Sequence, residues 1–203
     1  VSRVFVLSPA NCAGARARLV LDGRPSASDL VHRLRGAHGV SIGEAFTFMS
    51  ALYFRGKLAY AEAFARPPAG VAGVLVITPD EGLRPAREPI DLHRLRRFAA
   101  SPIHESNAAY REPLVRDARR LATQAPGCEI VLLGSIASGK YLDVLAPIWG
   151  ERLRFPLAFV GRGDMSRGGL LLRCVQQSEE LEYVPVAGVA RHGARPPRLE
   201  PRP

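Results

Sequence analysis

Three uninterrupted runs of four apolar residues constrain this chain more than any other feature: Val4-Phe5-Val6-Leu7, Val74-Leu75-Val76-Ile77 and Ile130-Val131-Leu132-Leu133. Successive side chains of a strand point to opposite faces, so a strand apolar at every position must be covered on both. That condition is met in parallel sheets flanked by helices. Each run ends in turn-forming residues: Ser8-Pro9, Thr78-Pro79-Asp80 and Gly134-Ser135. The pattern predicts a single α/β domain over residues 1–190, with a central, mostly parallel or mixed sheet and helices on both faces. The three runs are expected side by side at its centre. Their C-terminal ends would then carry residues 8–12, 78–83 and 134–140 on one edge, where α/β sheets bind ligands.

Between the runs, the pattern of apolar residues sets the remaining elements. Residues 15–20 read as a second, edge strand. Ser26-Ala27-Ser28-Asp29 is a helix-start signal, and Ser41-Ile42-Gly43-Glu44 has the spacing of a capping box. A further helix is expected from about residue 55 to 64, and basic or amphipathic helices over 92–98, 110–123 and 141–148. Residues 170–174 and 181–186 read as a strand pair that closes the sheet. Residues 191–203, rich in proline and arginine, read as a basic tail expected to be disordered.

The basic residues are 26 arginines and two lysines, and both lysines follow a glycine: Gly56-Lys57 and Gly139-Lys140. Where arginine supplies cations so generally, a lysine that remains is a candidate for work that needs a compact ammonium able to lose its proton. Lys57 and Lys140 are therefore candidate catalytic residues. The net charge is +9, and four arginines against one glutamate in the last 17 residues leave +6 for the body. A basic body fits an anionic partner, whether nucleic acid, nucleotide or phosphorylated metabolite.

Residues 134–140 satisfy Gly-x4-Gly-Lys between a strand and a helix, the setting in which backbone N–H groups cradle phosphate. Tyr141 stands where a nucleotide-hydrolysing loop needs Ser or Thr for magnesium, so anion binding without hydrolysis is the better reading. Gly134, Ser135, Ser138 and Tyr141 are candidate ligand contacts. A second glycine-rich stretch, 161–173, carries Arg162, Arg167 and Arg173 against Asp164. Arginine forks suit phosphate, which makes Arg162 and Arg167 candidates too. Cys12, in a polar loop after the first strand, is a candidate reactive thiol. Arg94-Leu95-Arg96-Arg97 reads as a solvated helix face.

Other chemistries find little support. Cys12, Cys128 and Cys174 lack metal-type spacing, the five histidines are scattered, and Ser135 has no Gly-x-Ser-x-Gly elbow. No metal or cofactor is expected. No apolar run approaches the length of a membrane span, and residues 4–7 are too short for a signal-peptide core. A cytoplasmic protein without a membrane partner is expected.

Several segments taken together resemble the YaaA family of peroxide-stress proteins. Leu7-Ser8-Pro9-Ala10 is similar to that family's opening strand and Ser-Pro-Ala-Lys. Leu52-Tyr53-Phe54-Arg55-Gly56 is similar to its Tyr-x-Gly segment, and residues 77–85 to its Leu-Ser-x-x-Tyr-Gly-Leu-Leu-Arg-Pro stretch. Ser135-Ile136-Ala137-Ser138-Gly139-Lys140-Tyr141 resembles its Asn-Leu-Ala-Ser-x-x-Tyr. Asn11 replaces the family lysine and Glu81 the tyrosine before Gly-Leu. The resemblance implies an α/β fold with a positively charged cleft, nucleic-acid binding and a role in oxidative stress.

The expected function is thus a basic cleft at one sheet edge that binds nucleic acid or a nucleotide-like anion. Lys57, Lys140, Arg55, Arg162 and Arg167 would supply charge, Ser8, Asn11, Thr78, Ser135 and Ser138 hydrogen bonds, and Tyr53 or Tyr141 a stacking face. The alternative is an enzyme of the same fold acting on a nucleobase or phosphorylated small molecule. Its mark would be an enclosed pocket with Lys57 or Lys140 desolvated. A third reading is an adaptor whose tail docks on an acidic partner.

Overall fold

The computed structural model describes residues 1–188, 193–194 and 196–197; the basic tail lies almost wholly outside the described residues. In chain order the elements are β1 (Arg3–Leu7), α1 (Ala15–Leu21), α2 (Ser28–Arg35), β2 (Val40–Ser41), α3 (Ile42–Phe64), β3 (Val74–Thr78), β4 (Gly82–Pro85) and β5 (Pro89–Ile90). Then follow α4 (Leu92–Ala100), α5 (Ala108–Gln124), β6 (Glu129–Leu133), α6 (Gly139–Trp149), β7 (Leu153–Pro156), α7 (Asp164–Gln177) and β8 (Tyr183–Pro185).

The main sheet has the order β4-β3-β1-β6-β7-β8, and β2 pairs with β5 in a separate ribbon. β3, β1, β6 and β7 are parallel; β4 and β8 run antiparallel at the two edges. The three apolar runs are indeed adjacent and central, with Leu7 opposite both Val76 and Leu133. Val4, Phe5, Val6 and Leu7 are fully buried, as double-sided cover requires. α3 packs on α7 and α5 on α6. Right-handed crossovers place these two pairs on opposite faces of the sheet. No helix among the described residues is long and apolar enough to cross a membrane.

Several local expectations are corrected. Residues 15–20 form helix α1, not a strand: Ala17 and Val20 are buried three apart while Arg16 and Arg18 are exposed, which is helical spacing. Residues 170–174 lie within α7, whose buried Gly168, Leu171 and Cys174 again recur every third residue. β8 therefore pairs with β7, a four-residue strand with only two large apolar side chains, Leu153 and Phe155, on either side of Arg154. The loop expected over residues 78–83 is the turn of a hairpin, in which Gly82 adopts φ +77° and opens β4.

The helix-start signal at Ser41 operates as expected, because its Oγ accepts from the Glu44 N–H at 3.1 Å. The Glu44 carboxylate pairs with Arg33 of α2. The two helices expected over 41–64 form one span broken at Ala51, where φ is +47° and ψ −124°. A β-carbon is strained in that conformation, and the break lies between Ser50 and Tyr53.

Arg96 and Arg97 of the expected solvated face are exposed, but Arg94 and Arg97 are also engaged with acids. Arg94 pairs with Glu81 and Glu88, and Arg97 with Asp80 at 2.9 Å and with Glu81. They fasten α4 to the hairpin turn after β3. Glu81 is the acid at the centre of this cluster.

The crossing of α3 and α7 is set by two glycines. A β-carbon on Gly56 would lie 2.7 Å from the Gly168 carbonyl oxygen, and one on Gly168 would lie 2.7 Å from the Leu52 carbonyl oxygen. Backbone atoms cannot swing away as side-chain ends can, so the helices must separate. Gly168→Ala is expected to destabilise the fold by about 1–3 kcal/mol, the usual range for overpacking. Urea unfolding of the variant against the parent chain measures it.

Candidate functional site

A topological switch lies between β1 and β6. The chain leaves β1 toward β3 and leaves β6 toward β7, so the loops after these adjacent strands splay apart and open a crevice between them. The Ser8 N–H donates to the Leu133 carbonyl at 3.0 Å, which carries the β1–β6 register one step into the loops. Gly134 makes the closeness possible: a β-carbon there would meet the Ser8 Cβ at 2.9 Å.

The crevice is a pocket of about 540 Å³, within the range of small-molecule sites. The loop after β1 contributes Ser8, Asn11 and Cys12 to its wall, and the loop after β6 with the start of α6 contributes Ser135, Lys140 and Tyr141. Ser50 and Tyr53 reach it from α3, and Phe98, Ser101, Pro102 and Ile103 from the end of α4 and the loop beyond. Asp164, first residue of α7, completes the wall. Among the described residues, Lys140 and Asp164 are the one basic and the one acidic side chain of the lining.

Lys57 lies behind this wall. It is 1% exposed, and its Nζ donates to the Ser8 carbonyl oxygen at 2.6 Å and lies 2.8 Å from the Ser8 Oγ. The rings of Tyr53 and Phe54 face the Nζ at 4.5 and 4.8 Å. No carboxylate forms an ion pair with Lys57 among the described residues. Burial is the main influence on its ionisation and lowers the pKa from 10.5 to about 7; Asp164 partly opposes the shift and Arg167 adds to it. The two ring faces favour the cation. The shift stays downward, since an ammonium removed from water without a carboxylate is held poorly.

The neighbouring groups are held neutral. Burial pushes the Tyr53 phenol up to about 12, while the neighbouring Arg167 guanidinium works the other way. Tyr141 is also raised, first by burial and then by Tyr53 and Asp164, while a hydrogen bond with the Ser8 side chain works the other way. Cys12 is raised to about 12 by burial and by Asp80, and its Sγ lies 3.6 Å from the Ala10 carbonyl oxygen. The thiol form prevails there at neutral pH, so Cys12 serves the pocket as a wall. Asn11 Oδ1 accepts from the Ala13 N–H at 3.1 Å and Ser135 Oγ from the Ala137 N–H at 3.2 Å, which shapes both loops. Tyr110 of α5 donates to the Lys140 carbonyl at 2.8 Å and fixes the start of α6.

Of the expected site residues, Ser8, Asn11, Cys12, Tyr53, Ser135, Lys140 and Tyr141 converge on one pocket. The others lie elsewhere. Arg55 is exposed on α3, away from the buried face that carries Tyr53 and Lys57. Thr78 is fully buried, with its hydroxyl bonded to Gly82 and Glu81 in the hairpin turn. Gly134 is the point of close packing against Ser8, and Ser138 is exposed ahead of α6. Arg162 donates to the Ala158 carbonyl and Ser166 Oγ, and Arg167 to the Phe159 carbonyl at 3.1 Å. Both arginines tie α7 to the turn before it. Ser50, Phe98, Ser101 and Ile103 were not anticipated, because nothing in their local sequence marks them; only the docking of α4 brings the last three to the crevice. Asp164 read as a turn acid and stands instead at a helix N-terminus facing the pocket.

Comparison with protein-family models, curated proteins and solved structures returns no match to this chain. Among the described residues no group of three or more His, Cys, Asp or Glu side chains is placed to hold a metal.

The depressed Lys57 has a consequence for stability. Between about pH 7 and 10.5 the unfolded chain holds the proton that the folded chain has released, so stability rises with pH across that window. The slope is at most about 1.4 kcal/mol per pH unit. Cys12, raised from 9.0, works in the opposite sense above pH 9. Denaturant unfolding from pH 7 to 9 is therefore expected to show a positive slope in the parent chain that Lys57→Met abolishes.

Proposed function

We propose that this chain is an enzyme acting on a compact anionic small molecule, such as one bearing a nucleobase or phosphate, bound in the pocket between the β1 and β6 loops. Lys57 is its base and Lys140 the cation that holds the ligand's anionic group. The observation that carries the reading is the desolvated Lys57, hydrogen-bonded among the described residues only to Ser8 at the pocket wall. An amine near neutrality there can take a proton at physiological pH, which an ordinary surface lysine cannot do. Lys140 lies on the first turn of α6, where the helix dipole also favours an anion.

A nucleic-acid groove calls for several cations along an open surface. Of the cations expected in that role, Lys140 alone lines the pocket, and Arg167 is paired with Asp164 at 3.7 Å. The support therefore lies with a small ligand, and the resemblance to the YaaA family bears on the shared loops more than on a basic cleft.

The chain's two lysines make a direct test possible. Carbon-13 NMR of lysine-labelled protein, assigned with Lys57→Met and Lys140→Ala, is expected to show Lys57 titrating near pH 7. Titration of Lys57 near 10.5 overturns the reading. Mass spectrometry of small molecules co-purified with the protein supplies the ligand. Lys140→Ala is then expected to weaken its binding at least about 10-fold, with stability changed by no more than about 0.5 kcal/mol. Lys140→Arg restores part of the affinity if the contact is a simple charge pair.

A further inference from the structure

We infer that Ser8 is a nucleophile activated by Lys57, and that the reaction at this site is acyl transfer from an ester-type substrate through an acyl-Ser8 intermediate. The inference rests on the reading of Lys57 as a base and adds the group that attacks. Ser8 is the only side-chain hydroxyl bonded to the Lys57 Nζ, at 2.8 Å among the described residues, and it lines the pocket. The second contact of Nζ, 2.6 Å to the Ser8 carbonyl, must be a donation from nitrogen. A neutral amine that donates there has its lone pair left to accept the Ser8 O–H. One residue thus orients the base through its main chain and presents the proton through its side chain.

The lining also selects the type of transfer. Phosphoryl transfer spreads charge over three oxygens and is commonly stabilised by several cations. Among the described residues Lys140 is the one basic side chain of the lining, whereas a tetrahedral carbon places one charge on one oxygen, which a single cation can hold.

The steps balance. Lys57 takes the Ser8 proton as Oγ bonds to the carbonyl carbon and the π pair moves onto oxygen. The tetrahedral intermediate collapses, and the leaving alcohol departs with the proton returned by Lys57. Water then attacks the acyl-Ser8 ester while Lys57 takes its proton. Collapse releases the acid, and Oγ recovers a proton from Lys57.

The test is labelling of the intact chain with a fluorophosphonate probe, in which the attacking oxygen displaces fluoride, read by intact mass and peptide mapping. The expected result is a single adduct on Ser8. Its rate should rise with pH through about 7 and then level, and fall at least about 100-fold in Ser8→Ala and Lys57→Met. Should Lys57→Met fail to fold, the pH profile of the parent chain carries the test, and a profile flat through pH 7 overturns the inference. An unmodified Ser8 in a chain whose Lys57 titrates near 7 by NMR overturns the nucleophile and leaves the base standing. If Lys57 titrates near 10.5, both fall.

Discussion

The hydrogen bonds between the Lys57 Nζ and Ser8 join the longest helix to the end of the central strand, and much of the surrounding structure is arranged to permit them. An ammonium or amine at 1% exposure needs partners, and Ser8 supplies both. For Lys57 to reach that depth, α3 must lie against α7 at the distance that Gly56 and Gly168 allow. For Ser8 to stand where it does, β6 must end in a residue without a side chain, and that residue is Gly134. Three glycines and one buried lysine therefore form a single packing problem with one solution. Removing any of them is felt at the pocket wall.

This arrangement also explains why the charges of the chain are distributed as they are. Most of the arginines expected to meet a ligand are occupied within the protein. Arg3 is paired with Glu129 at 2.7 Å and with Glu180 across the sheet edge. Arg94 and Arg97 fasten α4, and Arg162 and Arg167 close the turn before α7. Guanidinium groups suit such roles because one side chain can satisfy several carbonyl and carboxylate oxygens at once. The two lysines are used differently: one is sealed in the core with no carboxylate partner among the described residues, the other stands at the head of a helix facing the crevice.

The pocket gathers residues of two kinds. Ser8, Asn11, Ser135, Lys140 and Tyr141 follow strands whose apolar runs are plain in the sequence, and the rule that parallel strands present their C-terminal ends together brings them to one edge. Phe98, Ser101 and Ile103 follow a helix whose place depends on the Asp80–Glu81–Arg94–Arg97 cluster, and no local pattern announces a contact between residues 80 and 97. The same distinction separates the strands that were legible from those that were not. β1, β3 and β6 are continuous apolar runs, while β7 and β8 are three- or four-residue strands whose pairing is decided by the neighbours they meet. The segment 15–20 shows how short apolar stretches mislead: Ala17 and Val20 fit a strand by composition and a helix by spacing, and the spacing governs.

By itself, the sequence determined the fold class, the central three strands, the edge on which their loops meet and the two lysines as candidates there. These follow from local chemistry: double-sided burial of an apolar run, turn residues at its end, and the scarcity of lysine among arginines. Only the tertiary structure decided that Lys57 is buried behind Ser8 rather than exposed beside Lys140, that Arg162 and Arg167 bond to backbone carbonyls, and that Asp164 faces the pocket. The depth of Lys57 depends on how closely α3 and α7 approach, and that distance comes from Gly56 meeting Gly168, two residues 112 positions apart. A side chain's protonation depends on the water it has lost, and packing between distant segments, not its neighbours in sequence, removes that water.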